Sequence, residues 1–403
     1  MSKTNLIYAD NNATTPVAPE VVAAMQPYFG LEFFNPSSMY EPALKVAGAL
    51  KMARQTVADF LGGVEPSEVL FTSCATESNN TALFGVAAAN PQRKHIVTSV
   101  VEHPAVLEVC RELQRRGHEV TYLPVDRRGQ IATADYVCAL RPDTLLVTLM
   151  HANNETGVVW PVGDWARIAK ETDQHIVFHT DATQTAGKLP LALRGDLQHV
   201  DLLSLSGHKM HAPKGVGTLF IRRGTPLRPY LLGGHQESGR RGGTENVAYI
   251  IGLARACQLA RAHAPDMARI EQLRDWLETE ILRQVTYVEI NGQGAPRMPN
   301  TLNMACHYIE GESILYELNR RGICASTGSA CSSGSLEPSH VLKAMGIPFT
   351  AMHGSIRLSF SAYTTEDEVH QIAEAFPQVV ANLRQMSPYW DQKRNQPRPI
   401  ADT

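Results

Sequence analysis

The sequence predicts an α/β protein with a large domain on a mostly parallel sheet and a smaller C-terminal α/β domain. Three observations predict it. Short apolar runs alternate with helix-length amphipathic segments through the first two thirds of the chain, and polar clusters close the ends of those runs. The 403 residues also exceed the roughly 250 to 300 at which one core stops growing, so two domains are expected.

The strand-like runs are VLFTS (69–73), HIVTSV (95–100), TLLVTLM (144–150), IVFHT (176–180), VDLLSLS (200–206) and GTLFIRR (217–223). Between them, segments such as AVLEVCRELQRRG and VGDWARIAKETD repeat their apolar residues at three- and four-residue intervals, as a helix lying on a sheet requires. A long helical stretch follows from about Asn246 to Val285, and a second α/β segment runs from about Val288 to Arg384. We place the large domain at 16–260 and the smaller one at 1–15 and 261–390. The polar, proline-bearing end, 391–403, is expected to form a disordered tail.

Net charge −3 and 19% charged residues give no electrostatic case for nucleic acid or a membrane surface. The start MSKTNLIYAD lacks the apolar core of a signal peptide, so a cytoplasmic location is expected. Seven cysteines, odd in number and without CxxC pairs, argue against a disulfide framework or a zinc site.

Chemistry concentrates at the strand ends, where ligands gather on open α/β sheets. Lys209 in SGHKMHAPKG, just after an apolar strand, is placed to bond an aldehyde cofactor, and pyridoxal phosphate is the candidate. Asp181 ends the run IVFHTD, where a carboxylate meets a protonated pyridine nitrogen; Asp201 begins its strand and is the poorer choice. Ala75 and Thr76 in CATESNN stand at a helix N-terminus suited to phosphate, or serve as an ordinary cap. Ser206 and His208 add donors on the other side of the same phosphate.

His103 in VEHPA reads as an imidazole able to stack on a flat ring and handle protons, or as a loop cap. Asn154 in HANNETG and Gln184 in TDATQ read as donors to a ring oxygen, or as ordinary turn amides. Thr244, in the glycine- and arginine-rich run 233–246, belongs either to a plain loop or to a loop delivering a phosphate donor to a partner subunit. Cys331 lies within STGSACSSGSLEPSH (326–340), too rich in small polar residues to pack a core; an exposed, mobile thiol is expected there, and such a thiol is costly unless it reacts. Arg357, charged within an alternating strand pattern, needs a partner: a substrate carboxylate, or an internal Asp or Glu.

YADNNATTP (8–16), NPSS (35–38), CATES, VEHPAV, HANNETG, TDATQ, SGHKMHAPKG, GGHQESGRRGGTEN and the Cys331 segment occur in the order found in NifS-type cysteine desulfurases of the class-V aminotransferase family, and the chain resembles that family almost throughout. The resemblance implies a type I pyridoxal phosphate transferase fold, a homodimer with shared sites, and conversion of L-cysteine to L-alanine with sulfur passed to an enzyme persulfide. It assigns Lys209 as the covalent lysine, Asp181 as the partner of the ring nitrogen and His103 as the stacked acid–base imidazole. It places Asn154 and Gln184 at the ring oxygen, with Asn154 also reaching the substrate. Ala75, Thr76, Ser206, His208 and a partner's Thr244 hold the phosphate, Arg357 the substrate carboxylate, and Cys331 is the nucleophile. An iron–sulfur scaffold protein is the implied sulfur acceptor, with Cys331 as a transient cluster ligand shared with it and nitrogenase-type clusters as the destination. One departure is Tyr40, where relatives often carry histidine after NPSS-x. A selenocysteine lyase, an aminotransferase and a non-catalytic sulfur-delivery protein remain as alternatives.

Overall fold

A computed structural model describes residues 6–327 and 338–398. Its strands, in chain order, are β1 (Ile7–Tyr8), β2 (Val69–Thr72), β3 (His95–Ser99), β4 (Glu119–Leu123), β5 (Thr144–Thr148), β6 (Val177–Asp181), β7 (Leu202–Ser206), β8 (Gly217–Ile221), β9 (Val288–Ile290), β10 (Thr301–Cys306), β11 (Ile323–Cys324), β12 (Ser355–Ser359), β13 (Trp390–Asp391) and β14 (Gln396–Pro397).

Strands β2 to β8 form one seven-stranded sheet in the order β2-β8-β7-β6-β5-β3-β4. Only β8 runs against its neighbours. The remaining pairings, β7 to β6, β6 to β5, β5 to β3 and β3 to β4, are parallel, as the alternating pattern predicts. Successive residues of each strand point to opposite faces. Val97, Val147, Phe178, Leu203, Leu205 and Phe220 therefore enter one apolar cluster, while Ile96, Leu146, Val177, Leu202 and Leu219 enter another on the far face. Both faces are covered, which is why these strands read as continuous apolar runs.

A second sheet, β12-β10-β9, is antiparallel and carries a cluster of its own with helices Asp266–Gln284, Gly311–Arg320 and Glu366–Met386. The N-terminal segment joins this second sheet to the first. Strand β1 pairs in parallel with β11, and Asp10 bridges Ser359 of β12.

Three expectations are corrected in detail. The stretch from Asn246 to Val285 is two helices, Val247–Ala262 and Asp266–Gln284, because Pro265 cannot continue the first and disfavours helical geometry at Ala264. EVTYL at 119–123 is the edge strand β4, overlooked because its exposed first residue and partly exposed middle dilute the apolar signal. Residues 391–398 do not trail away: β13 and β14 form a hairpin that buries Trp390 under the Arg384 guanidinium, 4.7 Å from the ring centroid.

One glycine sets the approach of the sheet to the site. Gly217 pairs with Ser206 at the end of β7, and a Cβ there would stand 2.7 Å from the Cys74 carbonyl carbon and 2.8 Å from the Leu205 oxygen. Both neighbours are backbone and cannot swing away. Gly217→Ala is expected to cost about 1–3 kcal/mol, read as a fall in the urea midpoint at unchanged denaturant slope.

Candidate active site

Beyond the carboxyl ends of the parallel strands lies a cavity of about 360 Å³. It collects Ala75 and Thr76 after β2, His103 after β3, Asn154 after β5, and Asp181 and Gln184 at the end of β6. Ser206, His208 and Lys209 at the end of β7, and Arg357 from β12 of the second sheet, complete the walls. Residues spread over nearly three hundred positions therefore face one volume.

Lys209 ends a short 3-10 turn, Gly207–Lys209, that follows β7 directly. Its Nζ donates to the carbonyls of Asn12 (2.6 Å) and Ala13 (2.8 Å). The same Asn12 carbonyl accepts from Gln184 Nε2 at 3.1 Å. Asn12 is itself fixed by Nδ2 donating to Thr301 Oγ1 (2.8 Å) and by its N–H donating to Ser359 Oγ (2.9 Å). Residue-level reading of YADNNATTP does not single out Asn12, because the feature that matters is a backbone carbonyl.

Asp181 is buried. One carboxylate oxygen accepts from Asn79 Nδ2 at 2.7 Å and the other from the Thr183 N–H at 2.9 Å. Among the described residues it forms no ion pair, so its charge is met only by neutral donors. Asp201 by contrast pairs with Lys170 and caps the Phe178 N–H at 2.8 Å at the opposite end of the sheet. The two carboxylates are thus separated by position: Asp181 lines the cavity and Asp201 does not. Asn79, one turn into its helix in CATESNN, was missed; its burial beside Asp181 has no sequence signal beyond a polar residue on an apolar face.

His103 caps the helix Pro104–Arg115, with Nδ1 accepting from the Ala105 N–H at 3.1 Å. In the neutral ring the proton is therefore on Nε2. Burial lowers its pKa, reinforced by Lys209 and His340 and opposed by Asp181, so the neutral form prevails at pH 7.

The phosphate-suited end is built from two chain segments. The helix Ala75–Ala89 starts at Cys74, which offers no side-chain acceptor to the first turn, so the orphan N–H groups and the positive end of the dipole face the cavity beside Ala75 and Thr76. Ser206 and His208 approach across the β7–β8 pairing. His208 Nδ1 lies 3.1 Å from Thr14 Oγ1, and burial, helped by Lys209, pushes its pKa down to about 4.

Arg357 is fully buried. Nη2 pairs with Asp10 Oδ1 at 2.8 Å and Nη1 donates to the Asn154 carbonyl at 2.9 Å, while the residue also lines the cavity. The internal ion pair weighed for Arg357 is present, and it holds the guanidinium at the cavity wall. Asn154 contributes through its carbonyl as well as its position. Thr244 is exposed and does not line this cavity, and Cys331 lies outside the described residues. Two further cavity residues, Glu155 and His340, were not anticipated.

The model of the family described as aminotransferase class-V matches residues 7–372. The chain belongs to that family. It is 52% identical over 385 residues to cysteine desulfurase 2 of Trichormus variabilis, covering 96% of each chain. It is 51% identical over 385 residues to the cysteine desulfurase NifS of Azotobacter vinelandii, covering 95% of each. A solved structure titled NifS-like protein superposes with a TM-score of 0.87 at 38% identity, over 94% of this chain and 100% of that one.

This class-V chain is accordingly a pyridoxal-phosphate-dependent protein, and its cavity fits that group on its own evidence. A helix N-terminus without a side-chain cap suits an anion, a buried carboxylate that forms no ion pair among the described residues suits a protonated ring nitrogen, and a lysine whose amine is held at two backbone carbonyls suits an aldehyde.

Beside His103, Glu102 is wholly buried. Its Oε1 accepts from Ser99 Oγ (2.9 Å) and the Met150 N–H (3.0 Å), and its Oε2 has no partner among the described residues. Burial, with a contribution from Asp181, pushes its pKa up to about 8. The folded state then binds a proton that the unfolded chain has released, so stability falls as pH rises from about 4.5 to about 8. This one group contributes a slope of up to ~1.4 kcal/mol per pH unit. Glu102→Gln is expected to flatten that window in denaturation curves taken across pH, gaining stability over the wild type above pH 8.

Proposed function

We propose that the protein is a cysteine desulfurase that converts L-cysteine to L-alanine and transfers the sulfur to Cys331, supplying iron–sulfur cluster assembly. The observation that supports it most is the single cavity joining a carbonyl-held lysine, a carboxylate without an ion-pair partner and a wall-mounted arginine, in a chain about half identical to named cysteine desulfurases.

Bound in the cavity, pyridoxal phosphate supplies an aldehyde that bonds to an amine and a ring that accepts electrons from the substrate Cα. Lys209, its amine held at the Asn12 and Ala13 carbonyls, would hold the aldehyde end of the group and would serve as the base for the substrate Cα proton. Asp181, oriented by Asn79 and Thr183, would hold a protonated ring nitrogen. His103 would stack on the ring and Gln184 and Asn154 would contact its oxygen side. Ala75, Thr76, Ser206 and His208 would hold the phosphate. Arg357 binds the substrate carboxylate while Asp10 keeps the guanidinium in plane. Cys331 attacks the substrate sulfur: the carbon–sulfur bond breaks, a sulfur–sulfur bond forms, and the products are a Cys331 persulfide and alanine.

The active unit is a homodimer in which the partner's Thr244 completes the phosphate site. Phe29, Leu31, Phe33, Met39, Tyr40 and Leu44 form an exposed apolar stretch of the kind that subunit contacts cover, and Thr244 is exposed. This gives Tyr40 a packing role in place of the histidine found in relatives. The sulfur acceptor is an iron–sulfur scaffold protein, with nitrogenase-type clusters as the destination suggested by the NifS relative, and Cys331 serves as a transient cluster ligand shared with it. The proposed location is the cytoplasm. Separately, no helix among the described residues is long and apolar enough to cross a membrane.

Cys331→Ala is expected to keep the cofactor absorbance and to lose alanine formation from L-cysteine; residual turnover at the wild-type rate removes Cys331 as nucleophile. Borohydride reduction followed by peptide mapping is expected to find the pyridoxyl group on Lys209, and its absence there removes the covalent lysine.

A further inference from the structure

Two imidazoles border the cavity, and their hydrogen bonds give them opposite capacities. His103 accepts the Ala105 N–H at Nδ1, so its second nitrogen, Nε2, is a donor. His340 Nε2 lies 3.0 Å from the backbone oxygen of Glu102. A carbonyl only accepts, so His340 carries its proton on Nε2 and its lone pair on Nδ1. Both rings are the same tautomer, yet one offers a proton and the other accepts one.

His340 is also held firmly. Ser339 caps the helix His340–Ala344 by accepting from the Val341 N–H (3.1 Å) and the Leu342 N–H (3.2 Å). The same hydroxyl donates to Oε2 of Glu155, a buried cavity residue. The charged and titratable groups acting around His340 are His103 on the helix after β3, and Glu155, which Arg357 flanks as well.

Resting on the desulfurase reading above, the proton balance of the reaction asks for such an acceptor. L-cysteine and the Cys331 thiol bring two S–H protons; alanine and the persulfide retain one, and the product methyl has gained one C–H. One proton must therefore leave sulfur. We propose that His340 is a further catalytic residue, whose Nδ1 accepts the thiol proton of the bound L-cysteine. The imidazolium formed returns that proton to solvent, the Cys331 thiol releases its own proton to solvent before its sulfur attacks, and solvent returns one proton to the outer persulfide sulfur and one to the product methyl.

In apoprotein carrying ¹⁵N-histidine, the resonance lost in His340→Gln is expected to show the Nε2–H tautomer; an Nδ1–H tautomer overturns the inference. In the holoenzyme, His340→Gln is expected to lower kcat/KM for L-cysteine by about 100-fold and to remove the acid limb of its pH profile. His340→Gly, with its cofactor absorbance checked, is expected to recover rate when free imidazole is added. A folded glycine variant that imidazole does not rescue, or a glutamine variant with the wild-type rate and profile, also overturns it. Neither result touches the desulfurase reading, which fails instead if the wild-type enzyme forms no alanine.

Discussion

The site depends on a lysine held by backbone carbonyls. Lys209 Nζ donates to Asn12 and Ala13, and those carbonyls stay in place because Asn12 is tied to Thr301 and Ser359 of the second sheet. A carboxylate in their position would favour the ammonium and hold it there. Carbonyls orient the amine by hydrogen bonds and add no formal charge of their own. The N-terminal dozen residues are thus the clamp between the two sheets as well as a wall of the cavity. Strand β1 pairing with β11, and Asp10 bridging Ser359 while pairing with Arg357, belong to the same clamp.

How far the site could be read from sequence follows from what each residue does. The large-sheet strands other than β4 were visible because both faces are buried, so their apolar runs need no partner information. Lys209 and Asp181 were visible because a parallel strand announces its carboxyl end, and Asp201 could be set aside on that ground alone. The edge strand β4, partly exposed, lost that signal. The Trp390 hairpin was hidden because Trp390 packs against Arg384 of the preceding helix, a contact that the polar composition of 391–403 does not show. Asn12, Asn79 and Glu155 were hidden for a deeper reason. Asn12 acts through its backbone, Asn79 reaches Asp181 across 102 positions, and Glu155 meets Ser339 across 184. Such pairings are set by the fold and leave no local periodicity.

The whole chain carries a net charge of −3, yet its cavity is locally positive. Arg357 and Lys209 line it, and Lys188 lies behind Gln184, donating to the Gln184 carbonyl at 3.0 Å. Burial, together with Lys209 and Arg357, pushes Lys188 down to about 7, which measures how crowded with cations this corner is. Asp10 pairs with Arg357, while burial raises the pKa of both Glu102 and Glu155. Asp181 is left with amide donors alone. A site so arranged suits anionic groups while leaving the Asp181 carboxylate for a cationic one. Overall charge says nothing about this cavity, whose charges are set by which residues the fold buries around it.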